Sequence, residues 1–308
     1  MPDCQLCASS HDDGQCPKAR TGQRLDKYTI GPVIGIGGIA AVYAAEHPVL
    51  RTRIAVKILH ERFATDRELA TRFVREARET AAAGHPAFVH VHDAGTTEDG
   101  CPYIEMEMLE GRELYSLRKE SGPLAPEHVV WIATQVLDGL AVLHARGVIH
   151  RDLKSQNIFI VPGPGGDQVK LLDLGFAKVN DDLQLTSNEQ LLGTPLYISP
   201  EQYVDPHGVD ARADLFSLGV IMFETLTGEW PYTWETKREL LGKVMKGDLE
   251  RHPITKRPDL PAWLDEVVAR ALAHKREDRF ESALAMKAAL EQGPPREKSG
   301  LLRRLFGG

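Results

Sequence analysis

No run of apolar residues in this 308-residue sequence approaches the ~18 that a membrane-crossing helix needs. Its opening, Met1-Pro2-Asp3-Cys4, also lacks the charged and then apolar stretches of a secretory leader. Excess positive charge is missing as well. The formal net charge is −7, which argues against a general nucleic-acid binder, because phosphate backbones reward clustered cations. Cysteines number only four, and three crowd the first 16 residues, so a disulfide framework is not indicated. These absences set the expectation of a cytoplasmic, reducing setting, with no transmembrane segment and no nucleic acid as partner.

The length suits one large domain or two lobes with a sizeable core. Apolar content is 42%, ordinary for a globular chain, so neither disorder nor a fibre is indicated. Residues 1–26 stand apart as polar and aperiodic. Within them Cys4, Cys7, His11 and Cys16 offer three thiolates and one imidazole, a donor set that zinc takes tetrahedrally. The pattern resembles a zinc knuckle or small ribbon, although its Cys-to-His gap is one residue short of the usual knuckle. Zinc binding worth ~10 kcal/mol could order a segment with no core of its own. The alternative is a polar tail with incidental thiols.

From Tyr28 the pattern turns to short β-type runs, Tyr28–Ile30, Val33-Ile34 and Ala41–Ala45, split by Gly and Pro. Between them lies Gly35-Ile36-Gly37-Gly38-Ile39-Ala40-Ala41-Val42. Backbone free of side chains lets N–H groups approach phosphate oxygens. The strand–loop–strand context disfavours a Rossmann dinucleotide site, and a simple glycine hairpin is the alternative. Arg53–Leu59 reads as a strand with Lys57 set among apolar residues, where a cation needs a compensating charge. Arg67–Ala83, rich in Glu, Arg and Ala, reads as a helix ended by Gly84-His85-Pro86. Its Glu76 shares a face with Phe73 and Ala77. Val89–Asp93 and Cys101–Leu109 read as strands, and His85, His90 and His92 as strand and turn histidines. Ala125–Gly147 carries apolar residues at three- and four-residue steps, the mark of a long core helix. Val169–Leu172 is a short strand, Val179–Leu192 a polar loop, and Asp214–Phe223 the start of an apolar helix. Further helical patterns lie at Lys237–Lys246, Pro261–Ala273 and Ser282–Gln292. Gly293-Pro294-Pro295 marks a domain end, and Leu301–Phe306 is a short basic, apolar tail too brief for strong membrane binding.

The octet His150-Arg151-Asp152-Leu153-Lys154-Ser155-Gln156-Asn157 sits between the apolar runs Leu140–Ile149 and Ile158–Val161. It places an acid and an amide five residues apart, with little that packing would explain. It resembles the catalytic loop of the protein kinases, and Lys154 resembles the serine/threonine class. The rest of the family's parts follow in the family's order: glycine loop, strand Lys57, helix Glu76, catalytic loop, Asp173-Leu174-Gly175, and Ser199-Pro200-Glu201. Compact lobes and the Gly35-Ile36-Gly37-Gly38 loop most resemble the bacterial serine/threonine members. Ala40, Leu174 and Ser199 depart from the family pattern and leave its chemistry intact.

That resemblance implies an α+β, bilobal fold: a small antiparallel sheet plus one helix over 27–109, and a larger, mainly helical lobe over 110–292, with a tail at 293–308. It implies transfer of the γ-phosphoryl group of ATP to protein Ser/Thr hydroxyls. Asp152 would accept the hydroxyl proton, and Lys154 would approach the γ-phosphate. Asn157 and Asp173 would hold magnesium, with manganese as a substitute. Lys57, paired with Glu76, would grip the phosphates. Ile34, Gly35, Gly37, Gly38, Val42, Ala55, Glu107, Leu109, Glu113 and Phe159 would form the nucleotide pocket, with Met106 beside the adenine. Asp214 would brace the catalytic loop, and Glu201 would pair with Arg279. Arg151, Thr186, Ser187 and Thr194 would belong to an activation switch, served by trans-autophosphorylation in a dimer. The rivals are a pseudokinase scaffold and a zinc-knuckle nucleic-acid adaptor. The first loses a key Lys, Asp or Asn, and the second needs basic and aromatic residues around Cys4–Cys16. This sequence shows neither feature.

Overall fold

The computed structural model describes residues 20–163, 165–175 and 195–293. Six antiparallel strands open the chain: β1 (Arg24–Leu25), β2 (Tyr28–Ile36), β3 (Ala40–Glu46), β4 (Arg53–Leu59), β5 (Val91–Thr96) and β6 (Pro102–Glu107). They form one sheet in the order β1-β2-β3-β4-β6-β5. The helix α1 (Arg67–Ala83) crosses from β4 to β5. Asp66 caps it by accepting from the backbone N–H groups of Glu68 and Leu69, and Gly84 ends it with φ 58°. Its Leu69, Phe73 and Ala77 lie four residues apart on one face and pack with Leu59 and Ile104 of the sheet.

A second, helical layer follows. A small sheet of β7 (Arg112–Glu113), β8 (Ile158–Val161) and β9 (Gln168–Leu171) borders α2 (Leu114–Ser121) and α3 (Pro126–Ala145). Then come α4 (Pro200–Val204), α5 (Arg212–Thr227), α6 (Lys237–Lys246), α7 (Ala262–Ala271) and α8 (Ala283–Gln292). Every residue of α5 from Ala213 to Leu226 is buried, so this helix has no solvent stripe and sits inside the lobe. By length and composition alone α3 could cross a membrane. Its Val129, Ile132, Val136, Leu140 and Leu143 instead belong to the largest core cluster, together with α5. The fold is therefore bilobal, as the resemblance implied.

Several boundaries differ from the sequence expectation. The strand expected from Val89 begins at Val91, because Phe88 is drawn into the helical lobe and bridges to Leu171. The strand expected to run to Leu109 ends at Glu107, which leaves Met108 and Leu109 in the connector. Helix α3 starts with Pro126 in its first turn and stops at Ala145, before Gly147 at φ 71°.

Candidate active site

The registers Gly35↔Val42, Val42↔Lys57 and Ala55↔Met106 place Gly35, Val42, Ala55 and Lys57 on one face of the large sheet. The turn after β2 is pinned from below. Gly37 N donates to Ala40 O at 2.8 Å, His60 Nε2 lies 2.9 Å from Gly37 O, and Arg62 donates to Gly38 O at 3.0 Å. Ile34 is half exposed at the lip of this turn.

Lys57 is buried, and its ammonium donates to Glu76 Oε1 at 2.8 Å and to Asp173 Oδ1 at 2.7 Å. Burial alone would push the Lys57 ammonium down, but the Asp173 and Glu76 carboxylates outweigh it and raise it. Burial pushes the Glu76 carboxyl up to about 7, even against the pull of Lys57. One cation thus joins β4, α1 and the strand end after β9.

Across from Lys57 the backbone that opens the His150–Asn157 loop hangs on one buried carboxylate. Asp214 accepts from His150 N and Arg151 N, each at 2.9 Å, and from His144 Nε2 at 2.8 Å. Burial would raise the Asp214 carboxyl, but the bond and charge of His144, with His150 beside it, hold it below its usual range. Arg151, at φ 64°, takes a left-handed backbone that costs a side-chain-bearing residue energy. So does Asp173, at φ 47°. Both flank the Asp152–Asn157 loop, Arg151 directly before Asp152 and Asp173 directly after Leu172, whose N–H bonds Asn157 O.

Asp152, Lys154 and Asn157 come together as the sequence suggested. Asn157 Nδ2 donates to Asp152 O at 2.9 Å and to Asp152 Oδ2 at 3.2 Å. Lys154 Nζ lies 3.4 Å from the same carboxylate oxygen. Leu172 N donates to Asn157 O at 2.9 Å, which seats Asp173 beside the loop. Leu174 is buried, an apolar plug in the position where the family pattern has Phe. The register Glu113↔Phe159 sets those two side by side on β7 and β8, and Glu107 ends β6 at the connector with Leu109. Arg151 reaches Pro206 O at 3.4 Å and accepts from Gln202 at its own carbonyl. Thr186, Ser187, Thr194, Cys4, Cys7, His11 and Cys16 lie outside the described residues.

Three groupings escaped the sequence reading. Ser155, next to Lys154, pairs with the Tyr197 hydroxyl at 2.6 Å. That hydroxyl donates to Glu224 at 2.8 Å, and Glu224 also takes Arg118 at 2.8 Å. This polar chain links the His150–Asn157 loop, α5 and α2. Glu107 likewise pairs with Lys170 of β9 at 2.6 Å. A lone Tyr, Glu or Lys in an otherwise ordinary helix or strand gives no sequence signal for such long-range pairs. Cys101, expected to open a strand, lies just before β6, and Arg20 donates to its thiol at 3.1 Å and also pairs with Asp99.

The family profile described as protein kinase domain matches residues 28–290. The serine/threonine-protein kinase PknH of Mycobacterium bovis is 37% identical over 290 residues, covering 93% of this chain and 48% of that protein. Pkn1 of Myxococcus xanthus is 40% identical over 274 residues, covering 88% of this chain and 38% of that protein. PknB of Mycobacterium tuberculosis is 35% identical over 285 residues, covering 90% and 45%. The chain therefore spans less than half the length of these relatives. Among solved structures, the kinase domain of Mycobacterium tuberculosis PknI superposes with a TM-score of 0.67 at 27% identity, covering 89% of this chain and 99% of that one.

Proposed function

Since this chain belongs to the protein kinase family, we propose that it transfers the γ-phosphoryl group of ATP to serine and threonine hydroxyls of protein substrates. The observation that carries the proposal is the bridging of Glu76 and Asp173 by Lys57, beside the Asp152, Lys154 and Asn157 cluster. On this reading Lys57 and the N–H groups of Gly35, Gly37 and Gly38 hold the phosphates. Val42, Ala55, Ile34 and Phe159 sandwich the base, while the Glu107 to Leu109 backbone meets its edge and Glu113 the ribose. Asp152 orients the acceptor hydroxyl and takes its proton, and Lys154 neutralises the transferring group.

Asp173 and Asn157 supply a carboxylate and an amide, hard oxygen donors that suit magnesium or manganese. Asn157 donates to Asp152 through nitrogen, so its amide oxygen is the atom left for the cation. The bound ion would neutralise charge developing on the phosphates. Arg151 is the clamp for a phosphate on Thr186 or Ser187, added in trans by a second copy, and Thr194 belongs to the same switch. Residues 27–109 and 110–292 form the two lobes, and the chain acts in the cytoplasm. Cys4, Cys7, His11 and Cys16 bind zinc, which counting metal per chain in freshly purified protein would test.

The decisive experiment is transfer of labelled phosphate from ATP to a generic acceptor protein. Asp152→Asn is expected to cut turnover by ~10²–10⁴. No transfer by the wild type would replace this reading with a nucleotide-binding scaffold.

A further inference from the structure

Lys170 stands in β9 three residues before Asp173, and its side chain reaches out of the small sheet toward the large one. Its ammonium donates to Glu107 Oε1 at 2.6 Å and to Phe88 O at 3.2 Å. The same Glu107 oxygen accepts from His90 N at 2.7 Å, and Glu107 N donates back to His90 O at 2.8 Å. One cation therefore gathers the end of β6, the α1–β5 connection and the strand that delivers Asp173.

The surrounding backbone leaves this clasp little slack. Leu171 N donates to Ala87 O at 2.6 Å, and Val89 N donates to Leu171 O at 3.4 Å. The Lys170 side chain is 13% exposed and that of Glu107 30%, so the pair is less screened than one at an open surface. Its geometry also goes beyond a simple ion pair, because Glu107 and Lys170 each hold a backbone group of the same connection. The clasp is closed in the same arrangement in which Lys57 touches both Glu76 and Asp173.

We propose that Lys170 is a positioning residue that couples the adenine end of the nucleotide site, at Glu107, to the metal-holding carboxylate of Asp173. The inference rests on the nucleotide-binding role proposed above. Adenine held by the backbone at Glu107 fixes that residue. Through Lys170 it then fixes β9, so Asp173 is set before the phosphates and their cation arrive. Losing the clasp should leave the base contacts in place and loosen the phosphate end.

The test compares affinity for adenosine with affinity for ATP plus magnesium, by calorimetry on the full chain. Lys170→Met should bind adenosine like the wild type, while its affinity for ATP with magnesium falls about tenfold, a usual size for coupling between sites. Lys170→Arg should restore most of the loss. Glu107→Gln, which keeps the backbone and side-chain shape, should lower the ratio of the two affinities similarly and carries the test if Lys170→Met does not fold. The double variant should be no worse than the poorer single one. Equal weakening of both ligands would show a merely structural lysine and overturn the proposal. Unchanged or tighter binding of ATP with magnesium would overturn it too. A wild type that binds ATP with magnesium no better than adenosine would instead remove the kinase reading on which the coupling stands.

Discussion

Glu201 and Arg279, 78 residues apart, meet as a two-pronged ion pair, Oε1 at 2.6 Å from Nη1 and Oε2 at 2.8 Å from Nη2. The remaining donors of Arg279 go to Ala273 O, Arg212 O and His274 O, and the guanidinium also lies over Phe216. No donor of this fully buried side chain is idle. Arg279→Met would strand the Glu201 carboxylate and three carbonyls, and should cost about 3–5 kcal/mol in denaturant unfolding. Arg279→Lys should recover little, because an ammonium cannot fork onto both oxygens. A loss no larger than a surface pair gives, about 1 kcal/mol, would contradict this account.

That pair was expected before any coordinates, as was Lys57–Glu76, because the resemblance to the protein kinases implies both partners; only the Asp152–Asn157 spacing is written in local pattern. Lys57 stands out as a charge in an apolar strand, and α1 runs over Arg67–Ala83 as expected, its end marked in sequence by Gly84 and its start capped in the structure by Asp66. Other features depend on how the lobes meet. Asp173 as second partner of Lys57, and Lys170 as partner of Glu107, join residues 116 and 63 positions apart with no periodic cue. Helix α2 was missed because eight residues with Leu114 alone buried give no measurable period. The shortening of the strand at Val89 to begin at Val91 follows from the docking of Phe88 on the helical lobe, a tertiary choice.

Asp214 gives a stability prediction with a definite pH window. Its carboxyl is held below the usual range by His144 and His150, and it carries the His150 and Arg151 backbone groups. An acid whose folded pKa is lowered stabilises above its unfolded value and loses that contribution as pH falls through the folded one. Asp214→Asn should therefore be clearly less stable than wild type at neutral pH, with the gap shrinking below about pH 4. Unfolding curves at several pH values would show it. A gap that stays constant through the acid range would mean that the charge of Asp214 contributes nothing.

Glu76 should impose the acid limb of activity. Its carboxyl is neutral below about 7 and ionised above. Only the ionised form holds Lys57 as an ion pair, so kcat/KM for ATP should fall as pH drops through that value. Folding stability has the opposite slope. The folded carboxyl keeps its proton to higher pH than the unfolded one at 4.5, so stability declines as pH rises from 4.5 toward 7. Glu76→Gln should lower activity at neutral pH and flatten both dependences. If the acid limb survives unchanged in Glu76→Gln, another group sets it.

Gly175 tests how tightly Asp152 is placed. Its N–H donates to His150 O at 2.8 Å, so the segment after Asp173 lies directly on the catalytic loop. A Cβ added at Gly175 would stand 2.9 Å from Asp152 Cβ and 3.0 Å from both Asp152 N and His150 O. The loop backbone is fixed by Asp214 and by the buried Leu153, so it cannot retreat as a whole. The strain must then shift the Asp152 side chain or the Asp173 segment. Gly175→Ala should lower kcat by about 10²-fold, the usual result of displacing a reacting group by roughly an ångström. ATP affinity should change much less where the Asp152 side chain is what yields, since the Lys57 and glycine-turn contacts are then untouched. A comparable loss of ATP affinity would place the shift at Asp173, the partner of Lys57. An unaltered kcat would show that the backbone at Gly175 yields without moving the Asp152 carboxylate.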